Sequence, residues 1–416
     1  MKFGVEEKHS MATSFLHLER LATREKVGIK RGLDNIRSLL KALGNPERAY
    51  PVVLIGGTNG KGSTGAFMAH AARACGLRVA WATSPHLMSV RERVWIDGNP
   101  ISDSALDAHL EKVFSAEGRI GIEATYFELV IAATYLAFRE AAVDLAFVEV
   151  GLGGRWDATN AADPVLSILT NVALDHQAFL GDSREAIARE KLCIGREGRP
   201  LVLGPALLPK WLAPFRECEM NLVLAPPIEG AVIHWDHSLV GERRVGLAGA
   251  HQIENLATAL EGIGQLRRLG FNLPEALVWR GIEACRWPGR LWAVPGLANV
   301  WMDGAHNPDG ARVLAAHARA CGVRPHLCFG AMKDKDLAGV ASELKALEPI
   351  SLTFLRGENP RYAGAAELRV AWGVDAELVS LEVAAERLRL PSDSPRLVAG
   401  SLYLIGDLLG KLGINP

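Results

Sequence analysis

The clearest chemical signal in the chain is a glycine-rich loop that contains a lysine and a serine. Residues 56–63 read GGTNGKGS and directly follow the apolar stretch 52–55, and the pattern predicts a helix over residues 64–75. Between a buried strand and a helix, such a loop brings backbone N–H groups close to phosphate oxygens, while the lysine adds charge and the hydroxyl can ligate magnesium. The common pattern has Ser or Thr directly after the lysine, whereas Gly62 intervenes here. The loop predicts a nucleoside triphosphate site, and a tight glycine turn without a ligand is the alternative.

A carboxylate stands in a second apolar run that also leads into glycines. Glu149 lies within the strand-like stretch 145–150, and residues 151–154 form a glycine-rich turn. Ligands of open parallel sheets bind at the carboxyl ends of the strands. A buried carboxylate is costly unless it has a cationic partner, and a metal ion beside the phosphate loop would be one. Glu149 is therefore a candidate metal ligand, with a salt bridge to Arg155 as the alternative.

Several further polar groups are expected near the same sheet edge. Asp175 and His176 follow another strand-like stretch, Glu190 precedes Lys191 on a helix-like segment, and Ser84 closes the strand after the phosphate-loop helix. A lone histidine or a helical lysine is usually hydrogen-bonded or solvated without a function. Their coincidence with a carboxylate at one sheet edge favours a shared site instead.

The second half of the chain carries another candidate motif. Asp303 and His306 follow the strand-like stretch 300–302 and precede a helix. Asn307 can cap that helix with Pro308 at its first position, which explains part of the motif structurally. Asp303 and His306 are expected at the carboxyl end of their strand, where a second domain would contribute to a shared cleft.

These residues need a scaffold that places strand ends side by side. Strand-like apolar runs alternate with helix-like segments through most of the chain, which predicts an α/β fold with parallel sheets. The alternation weakens between about residues 211 and 245, where we expect a small antiparallel element. It breaks at residues 286–290 and then resumes. We predict a P-loop ATPase domain over 1–288 and a smaller Rossmann-like α/β domain over 289–416.

Bulk properties exclude several classes of protein. The 416 residues carry a net charge of -1, which provides no general attraction to nucleic acid or to an anionic membrane. Six cysteines without a C-x-x-C pair are typical of a reduced protein, not of a disulfide framework or a zinc site. The N-terminus lacks a leader pattern and no apolar run is long enough to span a bilayer, which predicts a cytoplasmic protein. No heptad or exposed repeat suggests assembly, so we expect a monomer.

Taken together, the motifs resemble those of the folylpolyglutamate synthase and dihydrofolate synthase family, within the Mur ligase superfamily. They occur in that family's order over nearly the whole chain. In the superfamily, Ser or Thr normally follows G-K directly, so the inserted Gly62 favours the folate branch over the cell-wall ligases. The motifs that carry the resemblance are residues 57–63, 84–86, 149–160, 175–176 with 190–191, 287–290 and 303–308.

The resemblance implies an ATP-dependent acid–amino-acid ligase. A pteroate or folate carboxylate would attack the γ-phosphate to form an acyl phosphate, and the amine of L-glutamate would then displace phosphate. The substrates implied are tetrahydrofolate for polyglutamation and, in a bifunctional enzyme, dihydropteroate for dihydrofolate synthesis. Two alternatives stay open, namely a UDP-muramyl peptide ligase and a nucleotide-binding regulator that has lost catalysis.

An ATP site with two magnesium ions is part of what the resemblance implies. The family's counterpart of Lys191 is carbamylated, which turns an amine into a carboxylate that can ligate a metal. The implied phosphate loop consists of Gly57, Thr58, Asn59, Gly60, Lys61, Gly62 and Ser63. The implied metal ligands are Ser63, Ser84, Glu149, His176 and Lys191. The other implied nucleotide contacts are Asn255, Arg290 and Asp303.

Substrate contacts follow from the same resemblance. Arg93, His306 and Ser401 correspond to residues that receive the incoming glutamate. Phe127 and Asp157 correspond to a pterin site, although ordinary helix packing is an equally good explanation for Phe127. The implied catalytic residues are Lys61, His176, Lys191 and His306.

Overall fold

The computed structural model describes residues 15–24, 28, 30–207, 211 and 220–415. Residues 1–14 and 416, which belong to the two predicted domains, lie outside this part of the chain. So do residues 212–219 of the predicted antiparallel region and the N-terminal stretch used to predict a cytoplasmic protein.

An eight-stranded sheet carries the phosphate loop. Its strands are β1 (Val52–Gly56), β2 (Val79–Ala82), β3 (Val94–Ile96), β4 (Asn99–Pro100), β5 (Leu145–Glu149), β6 (Leu166–Leu169), β7 (Pro200–Leu203) and β8 (Asn221–Leu224). Their order is β4-β3-β2-β5-β1-β6-β7-β8, and neighbouring strands are parallel from β2 to β8. Because β1 lies between β5 and β6, the loop that follows it leaves the sheet beside the ends of both.

The central strand is buried on both faces. Val52 and Leu54 face one hydrophobic cluster, whereas Val53 and Ile55 face another. This division follows from the alternation of side chains along a strand. An entirely apolar strand is typical of a parallel sheet covered by helices on both sides, as is the case here.

Helices supply those two covering layers. The helices described in this half of the chain are Leu16–Thr23, Asp34–Ala42, Lys61–Ala74, Asp103–Ile120, Tyr126–Glu140, Gln177–Leu180, Arg184–Leu192, His251–Arg268 and Glu275–Ala284. Short 3-10 segments occur at Pro46–Arg48, Val90–Arg93 and Ala158–Ala161. The phosphate-loop helix Lys61–Ala74 packs against His251–Arg268 and Glu275–Ala284. The helix that follows the phosphate loop is thus covered by two helices that lie far from it in the chain.

Two smaller sheets follow along the chain. Strands β9 (Val232–Ile233), β10 (Ser238–Val240) and β11 (Arg243–Val245) are antiparallel, so the predicted antiparallel element is confirmed. The third sheet consists of β12 (Trp292–Ala293), β13 (Val300–Asp303), β14 (His326–Phe329), β15 (Ser351–Arg356), β16 (Glu377–Ser380) and β17 (Arg396–Ala399). Its order is β12-β13-β17-β14-β15-β16, and only the β12–β13 pair is antiparallel.

The third sheet has hydrophobic clusters of its own. Its helices are Pro308–Ala320, Leu337–Leu344, Ala365–Trp372, Leu381–Arg389 and Leu402–Leu412, with a 3-10 segment at Lys345–Leu347. The predicted α/β fold class, with two mainly parallel sheets and a small antiparallel element, is thereby confirmed. The domain boundary between residues 288 and 289 stays a prediction. None of the described helices has the length and apolar character needed to cross a membrane.

Candidate active site

The phosphate loop is shaped by glycines that have no room for a side chain. Gly57 and Gly60 have φ angles of 143° and 82°, which L-residues with side chains rarely adopt. A Cβ atom at Gly57 would collide with Thr170 Oγ1, and one at Gly60 with the Asn255 side-chain oxygen. The loop therefore depends on close backbone approach at both positions.

The helix after the loop begins at Lys61, three residues earlier than the residue-64 start predicted from the pattern. Gly60, the residue before it, is left-handed, and the N–H group of Thr64 already bonds to the Gly60 carbonyl at 2.9 Å. Lys61, Gly62 and Ser63 thus form the first helical turn. Backbone N–H groups of a first turn have no partners within the helix and carry the positive end of its dipole, which suits an anion.

Two lysines converge on one backbone carbonyl of this loop. Lys61 Nζ donates to the carbonyl oxygens of Gly57 and Thr58, both at 3.1 Å. Lys191 Nζ reaches the same Gly57 oxygen at 2.9 Å from a helix that lies 134 residues further along the chain. The structure therefore brings together two of the predicted catalytic residues.

The environment of Lys191 favours its neutral amine. The side chain is almost completely buried, and burial together with the positive charge of Lys61 lowers the pKa of Lys191 from 10.5 to about 7. The pKa of Lys61 is also lowered, again chiefly by burial, although Glu149 and Asp175 oppose that effect. A lysine with a pKa near neutrality is partly unprotonated at pH 7, which is the form that reacts as a nucleophile.

Glu149 is buried at the end of β5 and is held by the end of the neighbouring strand. Its Oε2 accepts hydrogen bonds from Thr83 Oγ1 at 2.7 Å and from the Ser84 N–H group at 3.1 Å. The alternative salt bridge with Arg155 is wrong, because Arg155 pairs with Glu190 at 3.1 Å. Glu149 therefore faces the loop with Lys61 as its nearby cation.

Gly62 lies between Glu149 and an aromatic cluster. A Cβ atom there would be 3.6 Å from Glu149 Oε2 and 2.9 Å from the indole nitrogen of Trp287. Trp287 in turn packs on Trp81 with ring centroids 4.2 Å apart. The glycine that interrupts the common loop pattern thus has a steric reason in this protein.

The predicted metal ligands fit magnesium by their chemistry. The Glu149 carboxylate and the hydroxyls of Ser63 and Ser84 are hard oxygen donors. Within the described part of the chain, no cluster of three or more His, Cys, Asp and Glu side chains is arranged to hold a metal ion. A protein magnesium site commonly uses only one or two carboxylates and takes its remaining ligands from nucleotide phosphates and water. The residues present fit such a mixed site.

His176 lies beside the loop through its neighbour Asp175. Its Nε2 atom is 3.7 Å from Asp175 Oδ2, and burial lowers its pKa. Lys61 and Lys191 both act electrostatically on His176, so these three predicted catalytic residues share one neighbourhood. The structure records no direct bond from His176 to Glu149 among the described residues.

The predicted nucleotide contacts lie around the loop. Asn255 is buried against Gly60 and donates to Gln252 Oε1 at 2.9 Å. Asp303, at the end of β13, accepts from the N–H groups of Leu291 at 2.7 Å and Ala305 at 2.8 Å. Burial raises the pKa of Asp303, and Arg290 opposes that shift. Asp303 and Arg290 are thus neighbours, and Asp303 also shapes its own loop.

A cavity of about 340 Å³ opens beside these groups. Ser84, Trp95, Trp287, Arg290 and Leu402 are among the residues that line it. It therefore joins residues that follow β2 in the first sheet to residues next to the third sheet. Its mixed aromatic and charged lining suits a small molecule with an apolar ring and a polar end.

The predicted glutamate contacts are only partly brought together. Arg93 donates from Nε to His86 Nδ1 at 2.9 Å, and its guanidinium carbon lies 5.8 Å from the centre of the Tyr126 ring. Ser401 is buried and accepts from the Leu404 N–H group at 3.4 Å as the N-cap of its helix. Among the described contacts, neither residue touches His306.

His306 faces Asp175 near the phosphate loop. Its Nε2 atom is 3.8 Å from Asp175 Oδ2, and its Nδ1 atom lies 2.8 Å from the Gly304 carbonyl. Burial and the charge of Lys335 lower the pKa of His306 to about 4. The ring is therefore neutral at pH 7, with Nδ1 as the donor to the carbonyl.

The predicted pterin residues are adjacent to each other. A Cβ atom at Gly151 would meet the Phe127 ring at 2.6 Å and Asp157 Oδ2 at 3.2 Å. Asp157 already accepts hydrogen bonds from the N–H groups of Leu152 at 2.7 Å and Thr159 at 3.0 Å. Phe127 also packs against the hydrophobic core of the first sheet. Both residues thus have structural roles, and their contact with a pterin stays a prediction.

Lys335 and Thr83 escaped the sequence-based assignment, and Asp175 was expected at this sheet edge without an assigned role. Asp175 accepts from Lys335 Nζ at 3.2 Å and from Asn307 Nδ2 at 3.3 Å. Asn307 does cap its helix as predicted, but its amide also bonds to Asn59 Oδ1 at 2.9 Å. The charged run at residues 333–336 follows the end of β14 and would have been the signal for Lys335. Thr83 carried no such signal.

Comparison with known proteins places this geometry in context. The Mur ligase glutamate ligase domain matches residues 289–399. The dihydrofolate synthase/folylpolyglutamate synthase of Bacillus subtilis is 31% identical over 94% of this chain and 96% of its own length. A probable bifunctional folylpolyglutamate synthase/dihydropteroate synthase of Haloferax volcanii is 34% identical over 91% of this chain. The chain spans about half of that second relative, 48% of its length.

Solved structures match almost the whole chain. FolC of Escherichia coli in complex with DHPP and ADP has a TM-score of 0.84 and 29% identity, covering 95% of this chain and 97% of that one. A bifunctional folylpolyglutamate synthase/dihydrofolate synthase with Mn, AMPPNP and L-glutamate bound has a TM-score of 0.80 and 30% identity. The match covers 96% of this chain and 98% of that one. The arrangement of the three sheets is thus shared with these proteins.

Proposed function

The chain belongs to the folylpolyglutamate synthase and dihydrofolate synthase family, and on that premise we propose that it ligates L-glutamate to a folate-type carboxylate using ATP. The observation that supports this most strongly is the convergence of Lys61 and Lys191 on the Gly57 carbonyl. Two relatives are named for this ligation or for folylpolyglutamate synthesis, and one related structure holds L-glutamate. Both tetrahydrofolate and dihydropteroate are proposed as acceptors.

The proposed reaction has two steps. A carboxylate oxygen of the folate attacks the γ-phosphorus, and the bond from that phosphorus to the bridging oxygen of ADP breaks. The amine of glutamate then attacks the acyl carbon, the bond to phosphate breaks, and an amide forms with loss of a proton. Phosphoryl transfer of this kind depends on positioning and charge neutralisation. Lys61 and the first helical turn are proposed to bind the phosphates, because an ammonium group and backbone N–H groups both attract phosphate oxygens.

The metal requirement is proposed to be two magnesium ions. When bound, they would neutralise phosphate charge and polarise the phosphoryl oxygens. Glu149, Ser63 and Ser84 would hold one of them. His176 with a modified Lys191 would hold the other, which would share Glu149. A related structure with Mn and AMPPNP bound supports a requirement for a divalent metal.

Carbamylation of Lys191 is proposed, and its protonation state supports the proposal. The neutral amine adds carbon dioxide and releases a proton, giving an N-carboxylate. Because burial and Lys61 lower the pKa of Lys191 to about 7, this amine is available near neutrality. The product replaces a repulsive cation beside Lys61 with an anion that can ligate a metal.

Substrate contacts are proposed for the remaining predicted residues. Arg93, His306 and Ser401 would receive the glutamate, and Phe127 with Asp157 would receive the pterin. The apolar cavity wall formed by Trp95 and Trp287 suits a ring of either substrate. The protein is proposed to act as a monomer, which size-exclusion chromatography with light scattering would check.

The function is tested by supplying the substrates directly. Purified protein is incubated with ATP, Mg²⁺ and L-glutamate together with either 7,8-dihydropteroate or tetrahydrofolate, and the products are identified by mass spectrometry. We expect release of phosphate and a mass increase of one glutamate residue with at least one acceptor. A Lys61→Ala variant is the matched control. Absence of product with both acceptors would refute the proposal.

Replacement of Lys191 tests the carbamate. Lys191→Ala should lower kcat by about 1,000-fold, a loss comparable to removing an essential electrostatic group, while the protein stays folded by circular dichroism. Wild-type activity should also fall in buffers depleted of carbon dioxide and recover when bicarbonate is added. Full activity of the Lys191→Ala variant would contradict the proposal, because turnover would then not require a carbamate on Lys191.

A further inference from the structure

The two mainly parallel sheets meet at the phosphate loop through a small set of polar side chains. Asn307, from the turn after β13, donates to Asn59 Oδ1 at 2.9 Å within the phosphate loop. The same amide donates to Asp175 Oδ2 at 3.3 Å. Lys335, from the turn after β14, donates to Asp175 Oδ1 at 3.2 Å. Each oxygen of Asp175 thus faces a donor from the third sheet's side.

The ion pair is shielded from solvent. The side chains of Asp175 and Lys335 are 12% and 15% exposed. Asp175 is surrounded by charged and polar groups from both sides of the junction, with His176 on one side and Lys335 and Asn307 on the other. An enclosed pair of this kind is screened less by salt than a surface pair.

His306 lies close to Asp175 but does not form a hydrogen bond with it. Its Nδ1 atom is engaged by the Gly304 carbonyl at 2.8 Å. In the neutral ring, Nε2 then carries a lone pair, and it lies 3.8 Å from Asp175 Oδ2. Asp175 Oδ1 also accepts from the His176 N–H group of its own turn at 2.9 Å. Lys335 and Asn307 are consequently the groups on the third sheet's side that bond to Asp175, and His306 is the chain neighbour of Asn307.

We propose that Asp175 and Lys335 form an ionic clasp that positions His306 and Asn307 against the phosphate loop. Asp175 and Lys335 are positioning residues, because they act through the turns that they join. The clasp links the turn after β6, which bonds to the phosphate loop through Asn171 and Asn59, to a turn of the third sheet. Its closure would therefore complete the site only when both sides are in place. This inference rests on the ligase activity proposed above.

Four variants test the clasp. Asp175→Asn and Lys335→Met each remove one charge with little change in size, Lys335→Arg keeps the charge, and the double variant Asp175→Asn with Lys335→Met removes both. The exposed Lys333, two residues from Lys335, supplies the matched control Lys333→Met. The measurements are kcat and KM in the ligation assay, Kd for ATP by calorimetry, and the radius of gyration with ATP by small-angle X-ray scattering.

Loss of the clasp should affect turnover more than nucleotide binding. We expect each single variant to lower kcat by about tenfold to 100-fold, since misplacement by about 1 Å costs that much, with Kd for ATP unchanged within about twofold. The kcat of the double variant should be no lower than that of the less active single variant, because the effects of removing two partners of one interaction are not additive. Lys335→Arg and Lys333→Met should retain wild-type turnover, and Lys335→Met should show a larger radius of gyration.

Unchanged kcat in Lys335→Met would overturn the positioning role, whatever the scattering shows. Multiplicative losses in the double variant would overturn the pairing, and a parallel loss of ATP binding in every variant would assign the effect to a damaged loop. If the wild-type protein ligates neither acceptor, the proposed function fails. Scattering still tests the clasp in that case, because an unchanged radius of gyration in Lys335→Met would refute it.

Discussion

The phosphate loop and the junction between the two large sheets are built from different kinds of contact. The loop depends on glycines with positive φ angles and on backbone carbonyls, such as that of Gly57, which accepts hydrogen bonds from two lysines. The junction depends on side-chain charges and amides, with Asp175 at its centre and Lys335 as its partner. A site formed by backbone groups loses its function when the backbone moves, whereas a contact between charged side chains loses only part of its stabilising energy.

Alanine at Gly57 should produce the largest effect and would test the rigid half of this comparison. The φ angle of 143° and the collision with Thr170 Oγ1 require the loop to move, and both lysines bond to the Gly57 carbonyl. We expect kcat/KM to fall by at least about 100-fold, as for a misplacement of about 1 Å. Steady-state kinetics on the folded variant provides the measurement.

Gly76→Ala is the control for that variant. Gly76 has a φ angle of 89°, but no atom lies within 4 Å of the position that a Cβ would occupy. It should therefore cost only about 1–2 kcal/mol of stability from its left-handed backbone and leave kcat/KM unchanged. Equal kinetic losses in the two variants would break the comparison, because strain alone would then explain both.

Alanine at Gly62 should have a smaller effect, since one neighbour there can move. Its Cβ would lie 2.9 Å from the Trp287 indole nitrogen. We expect Kd for ATP to rise by about tenfold, equivalent to about 1.4 kcal/mol, as measured by calorimetry. Trp287→Phe in the same protein should recover much of the binding, because it removes that nitrogen. No recovery would show that Glu149, at 3.6 Å, is the group that resists the methyl.

The last prediction concerns stability, which should separate the two regions by pH. His306 at the junction has a folded pKa of about 4, against an ordinary value of 6.5. Between these values the unfolded chain binds more protons, so the free energy of unfolding falls as pH decreases from 6.5 towards 4. Lys191 at the loop, with a folded pKa of about 7 against 10.5, has the same sign between pH 10.5 and 7.

Urea unfolding of two variants measures these contributions. His306→Gln should reduce the pH dependence of the free energy of unfolding only between pH 6.5 and 4. Lys191→Met should reduce it only between pH 10.5 and 7, in buffer depleted of carbon dioxide. Subtracting the pH dependence of each variant from that of the wild-type protein gives the contribution of the replaced residue. Contributions of other histidines with lowered pKa values, such as His86 and His251, then cancel. A change on the opposite side in either variant would contradict the assignment.

Much of the loop was predictable because its signals are local. An apolar strand, a run of glycines and a lysine occur within about a dozen residues, and Glu149 stands at the end of its own strand. Strand ends of a parallel sheet share one edge, so the neighbourhood of these groups followed from the pattern. The start of the helix was misplaced by three residues, because the left-handed Gly60 ends the loop earlier than the apolar periodicity indicates.

The junction was less predictable. Lys335 is one charge in the run K-D-K-D, and no local rule says that it, and not Lys333, turns inward. Thr83 is equally unmarked, yet it holds Glu149. Trp287 belongs to a recognised motif, but nothing in the sequence showed that its indole limits the space at Gly62. The role of Asp175 depends on partners that are 132 and 160 residues away in the chain.

The sequence by itself determined the α/β alternation, the phosphate loop and its place after a buried strand, because backbone geometry and apolar periodicity act over short distances. Only the tertiary structure decided which charges meet. It placed Lys191 on the Gly57 carbonyl and Lys335 on Asp175. The reason is physical: burial and the approach of a second charge set the protonation and pairing of these groups, and both depend on segments that are adjacent only after folding.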